Sequence, residues 1–138
     1  MAIILDADVI IRGEKGSFAL KNWVESRPAE RFEIAAITIA ELWHGVERAH
    51  GAHKTARRRY LEAIVGALPV IPYTEQTAYE HARIWAELAS RGKVIGFYDL
   101  IVAATALEHG SELATFNTRH FARVNGLKLV EPEFGARQ

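Results

Sequence analysis

Ile3-Ile4-Leu5-Asp6-Ala7-Asp8 is an apolar run too short for a helix, and it stops abruptly on two carboxylates. Such a run reads as a buried strand. Further along, Phe32 to Ile37 is a second strand and Leu68-Pro69-Val70-Ile71 a third, with proline at its start, where a strand tolerates it. Glu112 to Thr115 is a fourth, and Leu127 to Val130 a fifth at an edge. Between strands, Ile39, Leu42, Trp43 and Val46 recur at i, i+3, i+4 and i+7, the stripe of a helix packed on a core. Tyr60, Leu61, Ile64 and Val65 repeat the pattern, as do Ala78, Ala82, Trp85 and Ala89 before Gly92, a candidate cap. Leu100 to Leu107 is almost wholly apolar, which places that helix centrally, and Gly110 closes it. The alternation predicts an α/β fold in one domain over residues 1–138, with a parallel sheet of four to five strands and helices on both faces.

Composition narrows the function. Lys plus Arg and Asp plus Glu are each 17, so formal net charge is zero and binding to nucleic acid by bulk positive charge is not expected. The absence of cysteine excludes disulfides, thiolate-bound zinc and thiol catalysis. The first residues lack a basic leader, and the longest apolar helical stretch is far below the roughly 20 residues of a membrane span. The expectation is a soluble, cytoplasmic protein.

In an open parallel sheet, ligands bind beyond the carboxyl ends of the strands. Asp6 and Asp8 follow the first strand, Thr38 and Glu41 the second, and Asn117 and His120 the fourth, while Asp99 opens the central helix. Each has a plain structural explanation. Thr38-Ile39-Ala40-Glu41 fits a capping box, Asp99 suits a helix N-terminus, and Asn117 suits a turn or cap. Together they are harder to explain away. Two carboxylates about 4 Å apart repel by roughly 4 kcal/mol at an effective dielectric of 20, so three need a positive partner. Arg12 is the sole basic residue in those segments, which favours a divalent ion such as Mg²⁺ or Mn²⁺ with oxygen ligands.

At these residues the sequence resembles PIN-domain proteins, specifically VapC-type toxins of toxin–antitoxin pairs. The likeness lies in Ile4-Leu5-Asp6-Ala7-Asp8-Val9-Ile10-Ile11, in Thr38-Ile39-Ala40-Glu41-Leu42 with Gly45, in Gly96-Phe97-Tyr98-Asp99 and the helix to Ala106, and in Thr115-Phe116-Asn117-Thr118-Arg119-His120-Phe121. These stretches keep the family's order and span residues 3 to about 132. The resemblance implies a three-layer α/β/α fold and a Mg²⁺- or Mn²⁺-dependent endoribonuclease toxin. It assigns metal-ligand roles to Asp6, Glu41 and Asp99, catalytic support to Asn117, and possible substrate contacts to Thr38, Thr115, His120 and Asp8. A metal-activated water would then cleave RNA, leaving a 5′-phosphate and a 3′-hydroxyl. It further implies a homodimer and inhibition by a VapB-type antitoxin that covers the acids. Two departures stand out: Asp8 replaces the family's usual Asn, Thr or Ser, and neither Asn117 nor His120 is the fourth acid of many relatives.

Other readings stay open. A haloacid-dehalogenase-like phosphatase would use Asp6 of Asp6-Ala7-Asp8 as a covalent nucleophile. A receiver-type domain shares the size and topology but needs an acid where Val70-Ile71-Pro72-Tyr73 stands. A PIN-like module could also bind RNA or protein without cutting. Elsewhere, Lys54, Arg57, Arg58 and Arg59 read as a solvated face balanced by Glu47 and Glu62, and Arg91 and Lys93 as phosphate-contact candidates. Trp23, Trp43 and Trp85 read as core or subunit contacts.

Overall fold

The computed structural model describes residues 1–133; the tail expected beyond Pro132 falls, from residue 134, outside the described residues. Five strands form one sheet: β1 (Ala2–Leu5), β2 (Arg31–Ala35), β3 (Val70–Ile71), β4 (Glu112–Ala114) and β5 (Lys128–Val130). Their spatial order is β3-β2-β1-β4-β5 and every pairing is parallel. Seven helices connect them: α1 (Ala7–Lys15), α2 (Leu20–Glu25), α3 (Ala36–Arg48), α4 (Gly51–Gly66), α5 (Glu75–Ser90), α6 (Phe97–His109) and α7 (Thr118–Phe121).

Side-chain alternation along β1 builds the layers. Ile3 and Leu5 point to one face, into a core with Val9, Ile10, Trp23, Leu42 and Leu61 from α1 to α4. Ile4 points to the other, into a core with Ile84 and Leu88 of α5 and Leu100, Val102, Ala103, Ala104 and Ala106 of α6. The period of two within a central strand therefore sends successive residues into separate cores, giving helix, sheet and helix layers. α6 is buried without a break from Leu100 to Ala106, as its apolar run predicts, and ends at Gly110 with φ of 64°. That left-handed turn is open to glycine at little cost.

Two expectations are corrected. The second strand ends at Ala35, so Ala36 and Ile37 are already helical; α3 has Ala35 as its N-cap, with no side-chain cap bond. Thr38 and Glu41 therefore lie inside the helix and do not form the expected capping box. On α5 the buried stripe is Thr77, His81, Ile84 and Leu88, one position before the expected Ala78, Ala82, Trp85 and Ala89. Polar anchoring sets this rotation. Thr77 Oγ1 donates to Glu108 of α6 at 2.7 Å, and His81 Nδ1 meets the Tyr73 hydroxyl at 2.9 Å. Three small alanines bury too little area to outweigh Ile84 and Leu88. Trp85 is accordingly 60% exposed, outside the core.

Strand order reverses between β1 and β4. The chain adds β2 and β3 on one side of β1 before crossing back to place β4 on the other. Above this pair, the carboxyl ends open a crevice between the diverging connections.

Candidate active site

Asp6 leaves the end of β1 as the N-cap of α1, its Oδ1 accepting the Ala7 N–H at 2.9 Å. Its Oδ2 accepts the hydroxyl of Thr115, at the end of β4, at 2.8 Å. One bond thus joins the two strands at the switch point. Asp8, in the first turn of α1, reaches the same loop: its Oδ2 accepts the Phe116 N–H at 3.1 Å and lies 3.4 Å from Thr115 Oγ1. Thr115 Oγ1 also accepts the Asn117 N–H at 3.0 Å, which fixes the turn into α7. Asn117 is the N-cap of that short helix by position, with no side-chain cap bond.

Thr115→Val should loosen this junction. Loss of the hydroxyl leaves Asp6 Oδ2 and the Asn117 N–H without their partner, for a cost of about 1–3 kcal/mol. A urea unfolding curve checks this, and an unchanged midpoint would show that the Thr115 bonds carry no net stability.

Glu41 and Asp99 complete the cluster from α3 and from the first turn of α6. The Asp99 charge is felt by both Asp6 and Glu41. Burial, then Asp8, then Asp99 raise the Asp6 carboxyl to about 8, against the opposing bonds from Thr115 and Ala7. Burial, Asp99 and Asp8 raise Glu41 as well. Asp8 is raised chiefly by burial, partly offset by its bond to Phe116 and by Arg12. Arg12 turns its guanidinium over the Phe116 ring, 4.3 Å from the centroid, and so sits at the rim of the acids.

His120 of α7 stands against Asp99, its Nε2 at 3.0 Å from Oδ2. The sequence offered a phosphate contact for it; the structure gives it a carboxylate partner. Thr38 is fully buried one turn before Glu41 on the same side of α3, its hydroxyl unpartnered. Of the phosphate-contact candidates Arg91 and Lys93, Arg91 is held by Glu87 at 2.9 Å and by the Arg123 carbonyl. Lys54 and Arg58 pair with Glu47, as the solvated-face reading expected, whereas Arg57 crosses to Glu14 at 3.1 Å.

Donor chemistry in this crevice fits a divalent cation. Asp8 Oδ1 and Glu41 Oε1 are buried and have no hydrogen-bond partner. Unpaired carboxylate oxygens in a shared field of like charge are costly unless a cation neutralises them. Among the described residues, no group of three or more Asp, Glu or His side chains is close enough together to hold a metal ion as it stands.

Residues 3–127 match the PIN domain family. The chain belongs to that family. Among curated PIN relatives, Ribonuclease VapC1 of Rickettsia felis is 31% identical over 94% of this chain and 96% of its own length. The tRNA(fMet)-specific endonuclease VapC of Shigella flexneri is 30% identical over 95% of this chain and 98% of its own. A chain of the solved DNA-bound VapBC of Salmonella typhimurium superposes with a TM-score of 0.86 at 26% identity, covering 95% of this chain and 98% of that one. The three-layer fold with its parallel five-stranded sheet is thus the PIN fold. Among the described residues no helix is long and apolar enough to cross a membrane.

The phosphatase alternative gives way to the family match, which runs over residues 3–127. Exposed Phe97 and Tyr98, directly before Asp99, had no assigned role in the sequence reading. Their neighbours in sequence are Gly96 and Asp99, but their exposure depends on how α5 meets α6, which periodicity does not report.

Proposed function

We infer that this PIN-domain chain is the endoribonuclease toxin of a toxin–antitoxin pair, neutralised by a VapB-type antitoxin. The observation that carries the inference is the convergence of Asp6, Asp8, Glu41 and Asp99 at the β1/β4 switch point, with two of their buried oxygens unpartnered. Ribonuclease relatives spanning nearly the whole chain support it. The resemblance to solved VapBC complexes supports the partner class.

In this reading Asp6, Glu41 and Asp99 would hold Mg²⁺ or Mn²⁺, with Asp8 as a further oxygen donor. Bound there, the ion would supply Lewis acidity to activate a water and offset negative charge on the phosphoryl group. The chain's own residues do the positioning. Thr115 fixes the Asp6 carboxyl through Oδ2, Asp8 ties the end of β4 to α1, and His120 holds one oxygen of Asp99. Asn117, on the turn held by Thr115, presents an amide for orienting a water or a phosphate oxygen. The antitoxin's task is electrostatically simple, because a guanidinium can take a cation's place among carboxylates. RNA as substrate and a homodimer as the working form belong to the same reading.

Purified protein incubated with total RNA should cut it in Mn²⁺ and lose that activity in excess EDTA, with 5′-phosphate and 3′-hydroxyl ends at the cut sites. Full cleavage in EDTA would overturn the metal-dependent mechanism. Intact RNA under every metal condition would overturn the nuclease reading and favour a PIN module that binds without cutting.

A further inference from the structure

A pocket of about 560 Å³ opens where α3 turns into α4, lined by Gly45, Arg48, Ala49, His50, His53 and Arg57. No carboxylate lines it. The acids nearby are already engaged elsewhere. Glu47 pairs with Lys54 at 3.6 Å and with Arg58 at 4.0 Å. Glu14 of α1 accepts from Arg57 Nε at 3.1 Å on each of its oxygens. That pairing occupies Nε alone, so among the described residues Arg57 Nη1 and Nη2 have no hydrogen-bond partner. Arg48 is exposed and makes no ion pair among the described residues. The local positive charge is therefore only partly neutralised.

Gly45 lets the Arg57 guanidinium come close to α3, since a Cβ at that position would lie 3.1 Å from Nη1. The Arg57 side chain is 20% exposed and tied to Glu14, so its free donors are held in place before a ligand arrives. α4 also begins at this pocket. His50, its N-cap, and His53, in its first turn, both line it, and no side chain caps the helix. A helix start adds a field favourable to an anion. The location ties the pocket to the acids. Glu41, Gly45 and Arg48 stand at i, i+4 and i+7 and share one side of α3. At a rise of 1.5 Å per residue, Gly45 and Arg48 lie about 6 and 10 Å along the helix from Glu41.

We propose that this pocket holds a backbone phosphate of the RNA strand whose scissile phosphate lies at the Asp6–Glu41–Asp99 cluster. The proposal rests on the ribonuclease reading and adds a second point of attachment for the same strand. Arg57 Nη1 and Nη2 and the Arg48 guanidinium donate to the phosphate oxygens, a match of forked donors to a tetrahedral anion. His50 and His53 offer ring N–H groups at the rim. The charge balance of the chain makes such a contact useful. Formal net charge is zero, and the catalytic crevice is acidic, so the molecule as a whole does not attract a polyanion. A local basic pocket one to two turns from Glu41 supplies the attraction that the crevice lacks. An acidic side chain of a protein partner fits less well, because a strand carries a phosphate at every nucleotide whereas a peptide needs its acid at one position.

The test uses the full chain and a 12-nucleotide single-stranded oligoribonucleotide in EDTA, so that binding is read without cutting. Arg48→Ala should weaken binding roughly 10-fold. The slope of log Kd against log salt should shrink by about 0.7, the share of one phosphate on a single strand. Gly45→Ala leaves the charge alone but crowds Arg57 Nη1, and it should weaken binding as well. Arg59→Ala removes the same charge from an exposed position outside the pocket and should leave affinity nearly unchanged. In Mn²⁺, the Arg48→Ala loss should fall on KM rather than kcat, since the contact holds the strand equally in ground and transition states. Thermal melting confirms folding of each variant. Equal losses for Arg48→Ala and Arg59→Ala mean attraction by net charge alone and overturn the pocket. Unchanged RNA affinity in both Arg48→Ala and Gly45→Ala overturns it too; if those variants also bind a glutamate-rich peptide more weakly, the pocket belongs to a protein partner. Wild-type protein that neither binds nor cuts RNA overturns the ribonuclease reading itself, whereas wild-type cutting with unaffected variants overturns the pocket alone.

Discussion

Asp99→Asn should lower RNA cleavage by roughly 100- to 1000-fold while leaving the fold intact. Asparagine keeps the carboxylate's shape and still offers an oxygen at the position that His120 faces at 3.0 Å. What it removes is the charge, which Asp6 and Glu41 both feel across the crevice. With that repulsion gone, the melting temperature in the absence of metal should hold or rise. The paired readout is the useful part: activity falls and stability does not. Single-turnover cleavage of a defined RNA, alongside a thermal melt, checks both halves. A variant cutting within a few-fold of wild type would remove Asp99 from the catalytic set.

Most of this site could be seen in the sequence because its members follow strands. Asp6 and Thr115 directly follow β1 and β4, whose last residues are buried and apolar. The strand-end rule of parallel sheets then places them at one edge. The link between Glu41 and the site was harder to read. Residues 38–41 spell a capping box, and the pattern alone does not reveal that α3 starts two residues before Thr38. Once it does, the capping explanation disappears and leaves Glu41 with a buried, unpartnered oxygen that the structural reading cannot account for. The exposed aromatics show the opposite failure. A helix whose buried face combines His81 and Thr77 with Ile84 and Leu88 has a weak apolar stripe, and the alanines beside it imitate one. Trp85 looked inward for that reason. The partner of His120 could not be read at all, because 21 residues separate it from Asp99 and only the approach of α7 to α6 joins them.

Stability without metal should fall as pH rises from about 4 to about 8, and divalent cations should reverse the trend. The Asp6 carboxyl titrates near 3.8 in a free chain and near 8 in the fold. Below the lower value both states are protonated. Between the two, the folded state keeps a proton that the unfolded chain has released, so each rise in pH favours unfolding. Above the upper value both are ionised and the loss is complete. Burial raises Asp8 and Glu41 in the same direction, so their contributions add to the slope. A cation bound by the ionised acids favours the folded state by about 2.7 kcal/mol at 100 times its dissociation constant, worth roughly 10 °C in a domain of this size. The gain should be largest at pH 8, where the crevice carries most charge, and small at pH 4, where protons compete. Melting curves at several pH values with EDTA, Mg²⁺ or Mn²⁺ supply the comparison. Asp8→Asn should flatten the slope in EDTA, since it removes a carboxyl that is itself raised by burial and that raises both Asp6 and Glu41. A melting temperature that climbs between pH 4 and 8 without metal would mean that these acids are not buried against one another, and the divalent site would lose its physical basis.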